Sequence, residues 1–80
     1  MKPTPEQYND FMAHRPVAGV TFDVNETVEI MEGEHAGERG VLSSLAELGD
    51  DTVYLVQLES GIEAAVAQSR LRRREADGAG

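Results

Sequence analysis

The chain has 80 residues, no cysteine, and 15 acids against 7 bases. That length allows one small domain, which buries only a little over half of its surface on folding, and the composition excludes a disulfide framework or a thiolate metal site. Charge is uneven: residues 23–63 hold eleven acids against Arg39 alone, whereas residues 64–80 hold four arginines against Glu75 and Asp77.

The spacing predicts an N-terminal helix within residues 1–16. Thr4 can cap it, Pro5 suits the first helical position, and Gln7 can complete a capping box. Tyr8, Phe11 and Met12 form one apolar stripe, and Pro16 ends the helix near His14. So short a helix does not persist alone in water, so the stripe is expected to dock on the outward residues Val53 and Leu55 of a later strand. Val17 to Asn25 leads in, with Val20, Phe22 and Val24 alternating.

Thr27 to Met31 reads as a strand with Val28 and Ile30 inward. Gly33 to Gly37 is a loop, and Gly40 to about Leu48 a long second strand. A bulge is expected near Ser43-Ser44, because Val41, Leu45 and Leu48 cannot all face inward without a slip. Gly49-Asp50-Asp51 turns the chain, and Thr52 to Glu59 alternates Tyr54, Val56 and Leu58 against Val53, Leu55 and Gln57. Ile62 to Ala67 is a fourth strand with Ala64 and Val66 inward. Gln68-Ser69-Arg70 fits one tight helical turn before a fifth strand at Leu71. The barrel is expected over residues 17–75 and a frayed tail over residues 76–80.

The stretch Phe22 to Leu42, FDVNETVEIMEGEHAGERGVL, resembles the KOW motif of NusG-type elongation factors and some ribosomal proteins. Apolar-x-apolar-x-x-Gly falls at Val28, Ile30 and Gly33, and the glycines of Gly-x-x-Gly-x-Val fall at Gly37 and Gly40, with Leu42 in place of the valine. Asn25 stands where the family often has glycine. The resemblance covers residues 22 to about 73 and implies a mainly β fold: a five-stranded SH3-like (KOW-type) barrel with a short N-terminal α-helix. It also implies binding of RNA, ribosomal protein, polymerase or another protein surface.

Residues able to carry chemistry are few. The loop Gly33–Gly40 leads into a strand, whereas a phosphate cradle needs a helix behind it. Glu34, His35 and Glu38 on one loop, without cysteine, argue against a metal, and no cofactor is expected. His35 reads as an exposed loop residue. No pair of acids falls in an apolar pocket, and no serine stands in a nucleophile elbow, so an enzyme is not expected.

The arginines Arg70, Arg72, Arg73 and Arg74 have two readings. They contact an anion or RNA, together with Arg39, or they pair across strands with Glu29 and its neighbours, because the last strand of such barrels commonly lies beside the first.

The expected function is a non-enzymatic protein-binding module of the transcription or translation machinery, presenting Met31, Glu34 and His35 to a basic partner, with Val53 and Leu55 if the helix leaves them uncovered. RNA binding through the arginines is the alternative, disfavoured by the acidic middle section, since RNA binding draws on Lys and Arg. No apolar run reaches the roughly 18 residues a membrane helix needs, and the first residues lack a signal-peptide profile. No membrane role is expected, and a cytoplasmic protein is.

Overall fold

The computed structural model describes residues 1–73. Arg74 and the expected tail lie outside the described residues. The elements run α1 (Pro5–Met12), β1 (Thr27–Ile30), β2 (Arg39–Glu47), β3 (Val53–Leu58), β4 (Glu63–Ala67), a 3-10 turn (Gln68–Arg70) and β5 (Leu71–Arg73). The five strands form one antiparallel sheet in the order β4-β3-β2-β1-β5. Among the described residues no pairing joins β4 to β5, so the sheet is open and the expected barrel closure is not observed.

The predicted alternation places the core. Val28 and Ile30 of β1, Tyr54, Val56 and Leu58 of β3, and Val66 of β4 are buried, with Ala64 packed against them. β2 slips at Ser43, as expected, but its inward set differs. Val41 points outward at 40 % exposure, and Leu42, Leu45 and Leu48 are the buried set. Two register slips produce this spacing of three. Leu42 pairs with Val56 and Ser44 with Leu55, leaving Ser43 unmatched; Leu45 pairs with Tyr54 and Glu47 with Val53, leaving Ala46 unmatched. Each extra residue turns the next leucine back into the core. The Ser43 hydroxyl lies 3.1 Å from the Leu55 carbonyl and 3.0 Å from a Glu63 carboxylate oxygen, bridging the first slip.

Residues 17–25 form no strand, yet Phe22 and Val24 are buried and Val17 and Val20 pack against the core. Side chains of the sheet hold this segment. The Tyr54 hydroxyl accepts the backbone N–H groups of Thr21 and Phe22 at 3.1 and 3.2 Å, and Thr52 donates its hydroxyl to the Gly19 carbonyl at 2.8 Å. Tyr54 also hydrogen-bonds Gln68 Oε1. Asn25 adopts φ 69°, the left-handed conformation that asparagine tolerates better than most residues.

The helix begins as the sequence predicts, with Thr4 and Gln7 closing a capping box. Its docking differs from expectation. Phe11 alone is buried, at 2 % exposure, while Tyr8 and Met12 remain 38 % and 40 % exposed. The Phe11 ring meets the Tyr54 ring at 6.2 Å, so this side chain seats on an inward residue of β3, while the Tyr8 hydroxyl lies 3.4 Å from the Ser44 hydroxyl of β2. Eight residues give only about two turns, which can aim one large side chain squarely at the core.

Candidate functional site

The expected site residues fall into three groups on the sheet. The first is the β1–β2 turn. Gly33 and Gly37 take φ 100° and 88°, where glycine avoids the penalty of a Cβ. Gly37 donates to the Ile30 carbonyl at 2.7 Å, and Ile30 donates to the Glu38 carbonyl at 2.9 Å, closing the turn on β1. Met31 and Glu34 are exposed there. His35 is half-buried rather than exposed, because its Nδ1 lies 3.0 Å from a Glu38 carboxylate oxygen and the ring folds back onto the loop. Among the described residues no three His, Asp or Glu side chains gather as metal ligands would.

The second group is the arginines. β5 pairs with β1 so that Arg72 stands opposite Glu29, and its Nη2 lies 2.8 Å from the Glu29 carboxylate. Arg73 pairs with Glu26 and stacks over the Phe22 ring at 5.4 Å from its centroid. Arg39 stands 4.0 Å from Glu59. Three of the expected arginines are therefore matched to carboxylates of their own chain, the cross-strand reading of the cluster.

Arg70 behaves differently. It is exposed and has no carboxylate within ion-pair distance among the described residues. Its carbonyl accepts the Met31 N–H at 2.7 Å, and its guanidinium lies over Gly33, where an added Cβ would be 3.2 Å from Nη1. The fold thus brings Arg70 to Met31 and the turn, a juxtaposition that their distance along the chain conceals. Arg70 also adds to the field on Asp51. That carboxyl is held below its ordinary range mainly by the Ser69 hydroxyl and also by the Ser69 N–H.

The third group is the outer face of β3. Val53 and Leu55 are half-buried, opposite Ala67 and Ala65 of β4 respectively. Neither forms a patch with Met31 through the strand pairings, since β2 and β1 intervene.

Reasoning from sequence missed a groove beside Val41. It is about 400 Å³ in volume and is lined by Thr27, Val41, Gln57, Leu58, Glu59 and Gly61. Val41 faces it because it pairs with the outward residues Thr27 and Gln57, ahead of both β2 slips. Comparison with protein-family models, curated proteins and solved structures returns no significant match.

Proposed function

We infer that the chain is a non-enzymatic protein-binding module with an SH3-like, KOW-type fold, serving the transcription or translation machinery. Support for the fold comes from the strand order, the β2 slips that bend the sheet, the 3-10 turn before β5, and the glycine spacing of the β1–β2 hairpin. The link to transcription or translation rests on the KOW resemblance alone.

One observation carries the choice of partner: Arg72, Arg73 and Arg39 are matched to Glu29, Glu26 and Glu59. Three of the cations that an RNA would need are thus engaged within the fold, and the chain carries a net charge of −8. Such a charge attracts a basic protein and speeds its approach at low salt. Arg70 favours the RNA alternative, but among the described residues it is the one arginine of the cluster without an ion pair, and one arginine neutralises one phosphate.

A mobility shift with generic RNA at low salt tests the choice. No shift is expected, together with co-purification of a protein with a basic surface whose association slows as salt rises. A tight RNA shift that weakens steeply with salt would reverse the ranking.

A further inference from the structure

β4 is the last strand in the hydrogen-bonded order, and among the described residues only β3 pairs with it. Its main-chain polarity follows from the two ends of the ladder. Leu58 donates to the Ile62 carbonyl and Gln68 donates to the Thr52 carbonyl, so residues 62, 64, 66 and 68 direct their N–H and C=O groups toward β3. The same groups of Glu63, Ala65 and Ala67 therefore point out of the sheet.

Along that edge runs a cavity of about 170 Å³, bounded by Ala65 and Ala67 on one side and by Gly33, Glu34, His35 and Arg70 on the other. The β1–β2 turn does not cover the edge with hydrogen bonds of its own. Its amides are engaged locally, Ala36 to Gly33, Gly37 to Ile30, and Glu38 to His35.

An open edge recruits other strands unless proline, inward charge or a covering segment blocks it. β4 reads Glu-Ala-Ala-Val-Ala, with no proline and a single charge at its start. Ala65 is exposed, and methyl side chains allow a second backbone to come close.

We propose that β4 receives an extended, basic peptide segment of a partner protein as a sixth strand, seated between Ala65–Ala67 and the Gly33–His35 turn. Strand addition rests on the protein-binding reading above and gives it a surface and a mode. Main-chain hydrogen bonds to Ala65 and Ala67 supply the pairing. Charge selects the occupant: Glu32 and Glu34 line the gap and Glu63 stands on the edge, against Arg70 at its end. A second copy of this chain fits less well, because each copy carries a net charge of −8.

The full-length, isotope-labelled chain is titrated with an end-blocked octapeptide of alternating Lys and Val, with amide hydrogen exchange followed by NMR. Near saturation at about 1 mM peptide, exchange at Ala65 and Ala67 should slow by about tenfold or more, while Ala64 and Val66 change little. The same peptide N-methylated at its four central residues keeps its charge but loses donors, and should bind at least about tenfold more weakly. An alternating Glu-Val peptide should leave Ala65 and Ala67 unprotected.

Equal binding of the N-methylated peptide, or protection confined to the Val41 groove, overturns strand addition and leaves the protein-binding reading standing. Absence of any Lys-Val binding also overturns it, and the broader reading falls as well only if RNA shifts in the parallel assay. Protection of Ala65 and Ala67 that grows with protein concentration alone, with a dimer in sedimentation, gives the edge to a second copy and overturns the proposal.

Discussion

Tyr54 and Phe22 hold each other twice: the Tyr54 hydroxyl accepts the Phe22 N–H at 3.2 Å, and the two rings meet edge-on with centroids 5.7 Å apart. A residue of β3 thereby fixes an irregular segment 32 positions earlier in the chain. Tyr54→Phe keeps the ring but leaves the Thr21 and Phe22 amides without that acceptor. It should cost about 1–3 kcal/mol, read as a lower midpoint in urea with an unchanged slope. A variant that melts with the wild type would show that water satisfies those amides equally well.

Burial pushes the Tyr54 hydroxyl above its ordinary value of 10.0, against the effect of the two backbone donors. The folded state thus favours the protonated phenol. Stability from this group is present below the unfolded value and is lost as pH rises past 10.0 through the raised folded value. Wild type should unfold in alkali as Tyr54 tyrosinate appears in the ultraviolet spectrum, and Tyr54→Phe should show a weaker alkaline loss. Parallel alkaline curves for the two proteins would refute the linkage.

Asp51 gives the opposite dependence. Its carboxyl is held below 3.8 chiefly by Ser69, so its stabilising contribution is present above 3.8 and disappears as pH falls through the lowered folded value. Ser69→Ala should therefore be less stable than wild type at neutral pH and equal to it in strong acid. The two acid-unfolding curves, measured by circular dichroism, should converge at low pH.

The glycines of the hairpin differ in kind. An added Cβ at Gly40 would lie 2.5 Å from the Gln57 carbonyl oxygen and 2.8 Å from a Val56 methyl, and the clash is with backbone. Gly40→Ala should cost about 1–3 kcal/mol through displacement of β3. At Gly37 nothing lies within 4 Å, so Gly37→Ala should cost about 1 kcal/mol from its positive φ alone. Thermal melts that rank Gly40→Ala at or above Gly37→Ala would contradict this ordering.

Deleting residues 1–16 removes Phe11 from the core. Loss of a buried phenylalanine typically costs about 3–5 kcal/mol, and each kcal/mol shifts the midpoint of a domain this size by about 4–8 °C. A fall in Tm of more than about 10 °C is expected. An unchanged Tm, with amides 5–12 unprotected, would instead make the helix a recognition element for a partner.

Much of the sheet was legible because alternation and glycine spacing are local. The strands and the turn Gln68–Arg70 follow from short windows of sequence, whereas the pairing of β5 with β1 is what the KOW resemblance implies. Three features were not. Val41 was read inward because a bulge slips the phase by an amount that depends on the partner strand. The helix stripe overstated contact, since an i, i+3, i+4 pattern does not say how many turns reach the core. The meeting of Arg70 with Gly33 and Met31 arises only once β5 lies beside β1. For the site itself, residue type identified the arginines as candidates, but their carboxylate partners are a property of the pairing register.

The two unmatched residues of β2, Ser43 and Ala46, make this hairpin sensitive to counting as well as to chemistry. Removing Ser43 would restore strict two-residue alternation through Leu42, Ser44 and Leu45, opposite Val56, Leu55 and Tyr54, and would keep Leu45 on the buried face. A single-codon deletion at either position removes a slip without moving a leucine out of the core, whereas the same deletion in a regularly paired stretch of the strand reverses the faces beyond it. Tolerance to deletion in this strand should thus concentrate at its two unmatched residues.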